Sequence, residues 1–404
     1  MCTRVNASAA GAAVLACALA APAFAQVRPE SSIWTRLSFD VAASATLSPP
    51  DPGAFFSYTD YERDETRLAR VRLLTDWRLR HDLAFVAEVR TANVDGLEGA
   101  AWYLRWQPFG RRDLTVQAGR IPPLVGAFPR RAYDRQNVVV GSPLAYQYLT
   151  SLRPDALPAT TDDILRMRGR GWQPFYPIGS AASGPGIPLV SASRWDTGVE
   201  AHWTRGILEF AGALTLGSPA VPVIRETNDG RAYAARVAVA VPAGPTIGAS
   251  AGAGAWVDRK ATAALPPGAG DDGGQRIAAI DAEYGTGRWL FRAEALRSRF
   301  EVPVASNRTA AVLHAWSSFG EARYRWHPRW QIGGRVEQLG FSRLQSASTG
   351  AWTTWDAPVR RVEIAVASRL TRTLEVRVGW QQNWRDGGRL TRRGVPIVAV
   401  LYGR

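Results

Sequence analysis

Cysteine is almost absent from this chain: there are two, Cys2 and Cys17, both within the first seventeen residues. They belong to MCTRVNASAAGAAVLACALAAPAFAQ, where one basic residue, Arg4, precedes an alanine-rich stretch and a small-residue end at Ala23-Phe24-Ala25. That order is the anatomy of a secretory signal occupying 1–25, with cleavage expected after Ala25. Lipoprotein processing at Cys17 and a buried N-terminal helix are the other readings of the same segment. Once cut after Ala25, the chain keeps no thiol, which excludes disulfides, cysteine metal centres and thiol nucleophiles.

Long hydrophobic runs are missing too. No later window reaches the roughly 18 uninterrupted apolar residues that a spanning helix needs. The most apolar one, Tyr233 to Ala255, is interrupted by Arg236, Pro242 and Pro245. Lysine is reduced to Lys260, so the net charge of +14 is carried by arginine. An exported basic chain is expected to meet anionic solutes or lipid headgroups, and no nucleic acid. The four histidines, His81, His202, His314 and His327, lack metal-ligand spacing and read as solvated polar residues. No phosphate-cradling glycine loop or nucleophile elbow appears, and no cofactor is implied.

What the chain has in quantity is alternation. In RVEIAVASRL, Val362, Ile364 and Val366 alternate with Arg361, Glu363 and Ala365, and a period of two marks a strand with two unlike faces. About sixteen such segments follow the signal, from Ile33–Leu47 and Arg67–Leu79 to Leu374–Trp384 and Val395–Tyr402; Leu114–Ala118 and the last are the weakest. Tight connections such as Arg80-His81-Asp82, Thr204-Arg205-Gly206, His327-Pro328-Arg329 and Thr371-Arg372-Thr373 all follow even-numbered strands. Longer connections follow odd-numbered ones, at about 48–65, 121–192, 217–230, 258–275, 299–311, 342–358 and 385–392, with a short exception near 93–99. A soluble sandwich has no reason to sort its loops by parity, whereas a membrane barrel does.

In a barrel the apolar face meets lipid and the charged face lines the lumen. The inward charges are then Arg70, Arg72, Arg90, Arg105, Arg292, Arg323, Arg335, Arg361, Arg369 and Arg377. Their counterparts are Asp76, Glu88, Glu200, Glu283, Glu294, Glu321, Glu337, Glu363 and Glu375. Three-residue turns at 371–373 and 327–329 would set Arg369 opposite Glu375 and Glu321 opposite Arg335. A one-residue slip would turn such charges toward lipid, where an arginine near the midplane costs about 2–4 kcal/mol. Tryptophans cluster near the strand ends: Trp77, Trp106, Trp203, Trp289, Trp326 and Trp330 at one, and Trp195, Trp256, Trp316 and Trp384 toward the other. Interfacial girdles are the expected reading.

The connection after the fifth strand is about seventy residues long, and structureless loops of that length are usually functional. It carries two arginine clusters, Arg130, Arg131, Arg135 and Arg166, Arg168, Arg170. Thr161 is the expected cap of a short helix led by Asp162 and Asp163 and ended by Gly169. The signal segment, the strand count, the one-sided long loops and this dominant loop together resemble the outer-membrane porins. GRIP at Gly119–Pro122 is similar to what substrate-selective members show at that strand exit.

The resemblance implies an all-β, transmembrane antiparallel barrel of about sixteen strands over 26–404, in a Gram-negative outer membrane. It implies that loop 121–192 folds inward and narrows the pore, with both arginine clusters and Asp162 and Asp163 at the constriction. The alternative is that they face bulk water or lipopolysaccharide phosphates. The expected function is passive diffusion of small hydrophilic, anionic solutes, and the family expectation is a homotrimer with lipid and lipopolysaccharide around it. A non-conducting anchor or assembly barrel is the alternative, as is a surface hydrolase using Asp162, Asp163 and His314. The chain departs from the family at its end, which is Arg404; Tyr402 is the nearest aromatic residue.

Overall fold

The structure is a computed structural model. It describes residues 35–46, 66–91, 97–109, 113–132, 136–192, 195–228, 230–270, 273–387 and 390–403. The expected signal at 1–25, the 48–65 connection, Arg135 and Arg404 lie outside the described residues.

Sixteen strands close into one antiparallel barrel in sequence order. They are β1 (Thr35–Thr46), β2 (Thr66–Arg78), β3 (Leu83–Thr91), β4 (Leu97–Trp106), β5 (Leu114–Ile121), β6 (Asp196–Arg205), β7 (Leu208–Thr215) and β8 (Ala232–Ala240). There follow β9 (Thr246–Ala255), β10 (Gly274–Thr286), β11 (Trp289–Val302), β12 (Ala311–His327), β13 (Trp330–Phe341), β14 (Val359–Arg369), β15 (Leu374–Asp386) and β16 (Leu390–Gly403). Closure is direct, because β1 pairs with β16, Val41 opposite Tyr402 and Ala45 opposite Val398. Among the described residues no helix is long and apolar enough to cross a membrane.

Alternation decides which way each side chain points, and the result inverts a soluble protein. Val336 and Val378 are each 58% exposed, while Arg335, Glu363 and Arg377 on the same strands or their neighbour are 1% exposed. An apolar outside and a charged inside suit lipid around an aqueous lumen. Register follows the turns: Arg369 lies opposite Glu375, and Glu321 opposite Arg335. At two tight turns the residue at positive φ is glycine: Gly206 (φ 61°) between the paired Arg205 and Leu208, and Gly287 (φ 55°) between Thr286 and Trp289. A side chain there would meet the steric penalty that glycine avoids.

The outward tryptophans at the tight-turn end form a girdle of Trp77, Trp106, Trp203, Trp289, Trp326 and Trp330, all exposed. Trp316 and Trp384 face outward at the long-loop end. Trp195 and Trp256 do not join them. Both are buried, Trp256 inside the barrel mouth with its indole N–H donated to the Glu301 carbonyl at 3.1 Å.

The long connection between β5 and β6 has a core of its own. Leu144, Leu152, Leu157, Ile164, Tyr176 and Val190 are buried together with Phe300, Leu313 and Phe341 at the long-loop end of the wall and with Trp355 of the connection before β14. Deeper in, Val138 and Val139 pack on Ala365 and Ala367 of β14, and Val140 packs on Val395, Ile397, Ala399 and Leu401 of β16. The small and apolar inward positions of these strands are where the loop lies against the wall. Burial of a leucine-sized side chain contributes about 1.5–3 kcal/mol, so this packing holds the loop firmly.

Candidate pore constriction

The inner wall from β11 to β15 is a lattice of charges at successive register positions. Arg335 reaches three carboxylates, Glu337 at 2.8 Å, Glu363 at 3.2 Å and Glu321 at 3.6 Å. Arg361 donates to the Asn383 amide oxygen at 2.9 Å, and Arg377 pairs with Glu375 at 2.7 Å. The loop completes the lattice through its backbone. Val140 and Gly141 N–H donate to one oxygen of Glu363 at 2.8 and 3.2 Å, and Leu144 N–H donates to Glu337 at 2.6 Å. Ala127 and Phe128 N–H donate to Glu294 at 2.7 and 3.3 Å, and the Tyr146 hydroxyl donates to its other oxygen. Buried carboxylates need such donors, since an unpaired buried charge is among the costliest features a protein can carry.

The same stretch of loop sends arginines to the strands that precede β11. Arg130 pairs with Glu209 of β7 at 2.8 Å, and Arg131 pairs with Glu283 of β10, which also holds Arg292 at 2.7 Å. Arg323 pairs with Glu321 at 2.6 Å and donates to the Asn137 side-chain oxygen at 3.0 Å. Beyond them, Asp76 and Arg105 pair at 2.6 Å, and His202 meets the Glu200 carboxylate while its other ring nitrogen lies 3.9 Å from Glu209. Loop and wall thus face each other across paired, partly exposed charges, which can strip and replace the hydration of a small polar solute.

On β8 and β10, Arg236 and Asp281 form a bidentate pair at 2.5 and 2.8 Å. The intervening strand β9 carries Gly248 there, and any side chain at that position would collide with the guanidinium. The glycine is an opening for a charge pair two strands wide.

The remaining expected site residues are distributed as follows. Arg72 and Glu88 take inward positions on β2 and β3, while Arg70 and Arg90 occupy strand positions whose side chains lie outside the described residues. Arg369 is half exposed at the tight-turn end, 3.9 Å from Glu375.

The second arginine cluster sits at the outer rim rather than against the wall. Hydrogen bonds from the Ser346 and Ser348 side chains, with Ala347 and Ser348 N–H donating at 2.9 Å each, draw the Asp162 carboxyl below the usual range. The helix Thr161–Arg166 is capped by Thr160, one residue before the expected cap. Asp163 closes the capping box and pairs with Arg166 at 2.7 Å. Arg168 donates to Thr354 at 2.7 Å and the Asp386 carbonyl at 2.9 Å, and Arg170 is exposed. These residues tie outer loops together.

Below them Asp356 is buried and accepts from Ser151 N–H and Gly169 N–H, both at 2.7 Å, and from the Tyr148 hydroxyl at 3.0 Å. Burial raises its carboxyl above the ordinary value against the pull of these donors. Glu209, Tyr146 and Asp356 were not among the expected site residues. Glu209 alternates with Leu208 and Phe210 and was within reach of the periodicity. The others sit in loops, where no period marks an inward side chain. Among the described residues no group of three His, Cys, Asp or Glu is arranged to hold a metal ion.

No family model matches the chain, and no curated protein matches it in sequence. Solved structures match its fold. OmpT, an outer membrane protein of Vibrio cholerae, superposes with a TM-score of 0.56 at 10% identity, over 94% of this chain and 100% of that one. The outer membrane channel DcaP of Acinetobacter baumannii gives 0.58 at 10% identity, over 94% and 100%. An anion-selective porin from Comamonas acidovorans gives 0.54 at 9% identity, over 92% and 100%. The architecture is therefore that of the outer-membrane porins of Gram-negative bacteria, as the parity of the loops led one to expect.

Proposed function

We propose that the protein is a passive channel of the outer membrane for small hydrophilic solutes, with no catalytic activity of its own. The observation that carries this reading is the seating of the loop after β5. Its backbone is fixed to Glu294, Glu337 and Glu363 on β11, β13 and β14, and Arg130 and Arg131 reach Glu209 on β7 and Glu283 on β10. A lumen narrowed by a fixed loop and lined with both signs of charge favours polar solutes over apolar ones. The expected anion preference rests on Arg130 and Arg131, and their pairing with carboxylates makes that preference weak. Reversal potentials in a potassium chloride gradient test this: mild anion selectivity is expected, and strong cation selectivity would refute it.

One observation favours a second reading, a barrel closed at rest. The apolar core of the loop fills the long-loop end of the lumen beside β10–β14. A barrel that conducts only after this loop is loosened would support that reading. Hydrolysis at the outer rim has less to stand on, since Asp162 and Asp163 spend their oxygens on backbone amides and His314 takes an outward position on β12. Assembly as a trimer is proposed on the porin fold; the Vibrio cholerae barrel is known in a trimer form.

A further inference from the structure

Of the four histidines, one faces the lumen. His81 and His327 are exposed at tight turns, and His314 takes an outward position on β12. His202 is an inward residue of β6, its side chain 20% exposed, and it stands between two carboxylates. One ring nitrogen meets Glu200, two residues back on the same strand, and the other lies 3.9 Å from Glu209 on β7. Glu209 in turn holds Arg130 of the loop at 2.8 Å. Imidazole and guanidinium thus share one carboxylate.

The surroundings set this group apart. β5 presents Thr115 opposite His202 and Gln117 opposite Glu200, and β7 presents Ala211 and Ala213, none of them charged. Next along the wall, Arg105 of β4 is paired with Asp76 at 2.6 Å, and Arg236 of β8 with Asp281 at 2.5 Å. Tyr103 on β4 and Glu88 on β3 are the further titratable groups on the β5 side. Hydrogen-bond donors are short here. The second Glu200 oxygen and the Gln117 side-chain oxygen are buried with no hydrogen-bond partner among the described residues. Buried acceptors without donors are costly, which leaves the imidazole proton as the donor on which Glu200 depends.

We infer that His202 is a selectivity-determining residue of the constriction, its proton setting how much of Glu209 is left to Arg130. With the proton bound, His202 and Arg130 divide Glu209, and two carboxylates face two cations. With the proton lost, Glu209 falls to Arg130 alone and one negative charge is left over. Imidazole ordinarily changes charge between about pH 5 and 8. The proton is shared with Glu200, so the titration belongs to the pair. The inference deepens the channel reading and rests on it.

The test is the reversal potential of the refolded full-length barrel in a potassium chloride gradient, read between about pH 5 and 8. The wild type is expected to lose anion preference as pH rises, by about threefold in the chloride-to-potassium permeability ratio. That is the effect in water of one charge about 6 Å from an ion's path. His202→Gln is expected to be flat over this range, and His81→Gln/His327→Gln to keep the wild-type slope. A His202→Gln channel that keeps the slope would overturn the inference, as would a slope lost with His81 and His327. A second readout needs no current: NMR of the histidine-labelled barrel in detergent micelles. The signal missing from His202→Gln is expected to titrate, and Arg130→Gln to move its midpoint to higher pH, because the competing cation is gone. A ring that does not titrate, or a midpoint indifferent to Arg130, would equally sink the idea. A barrel without openings whose His202 titrates and responds to Arg130 would keep the coupling and remove the channel reading instead.

Discussion

The two sides of the lumen start from the same pattern and end differently. On the β11–β15 side the inward carboxylates are consumed as anchors: the Glu337 and Glu363 side chains are 1% exposed and hold loop amides and Arg335. On the β7–β10 side, Glu209 and Glu283 are 36% and 38% exposed and meet side chains alone, Arg130 and His202 at Glu209 and Arg131 and Arg292 at Glu283. The alternation that turns a carboxylate inward is identical in both. What separates them is whether a loop amide reaches the carboxylate itself. A buried carboxylate bonded to amides holds structure in place, and a half-exposed one bonded to an arginine tip shapes the field a solute crosses. Glu88 and Glu200, both 1% exposed, show that burial also occurs on the β3–β6 side, Glu200 against His202.

The comparison can be broken most directly by removing one carboxylate from each wall. Glu363→Ala strips two amides and Arg335 of a partner and is expected to cost about 3–5 kcal/mol. Glu283→Ala is expected to cost about 1 kcal/mol or less, because solvent screens the group it leaves behind. Denaturant unfolding in detergent measures both, and equal losses would erase the distinction. Next in size, Leu144→Ala in the loop core is expected to cost about 2–5 kcal/mol and to raise protease sensitivity within 122–192.

A pH effect should follow from Asp356. Burial raises its folded value above the unfolded one, so the ionised form disfavours the docked loop. The contribution is fullest below the unfolded value and is lost as pH rises through the folded one. Acidification should therefore raise the protection factors of the Ser151 and Gly169 amides, measured relative to their intrinsic exchange at each pH, and Asp356→Asn should remove that change. On the open side, Arg130→Gln with Arg131→Gln should turn the reversal potential toward cations at a cost of about 1 kcal/mol or less per pair. The smallest effect belongs to Arg369→Ala, whose exposed 3.9 Å pair with Glu375 is worth under about 1 kcal/mol.

Much of the barrel was legible in the sequence because lipid imposes a strict period. Val362, Ile364 and Val366 had to share a face, and once the turns at 371–373 and 327–329 were read, Arg369–Glu375 and Glu321–Arg335 followed. The weakest segment, Leu114–Ala118, becomes a strand reaching Ile121 because β4 and β6 pair along it. The site was less legible. Glu294, Glu337 and Glu363 look like any lumen carboxylate, since a period of two gives the face and not what covers it. A trace of the cover is present in β16, where Val395, Ile397, Ala399 and Leu401 are apolar on the inward side as well, as strands buried on both faces are. The outer-rim roles of Asp162, Arg168 and Asp356 depend on loops meeting loops, and no local pattern encodes such meetings.

The central claim is that the loop after β5, anchored on Glu363 and its neighbours, sets the size of the pore. Single-channel conductance of the wild type beside Glu363→Gln, in planar bilayers under identical salt, tests it most directly. Small, steady openings in the wild type and larger or noisier ones in the variant are predicted, because a neutral amide holds Val140, Gly141 and Arg335 less tightly than a carboxylate. Identical conductance in both proteins, or no openings in either, would contradict it.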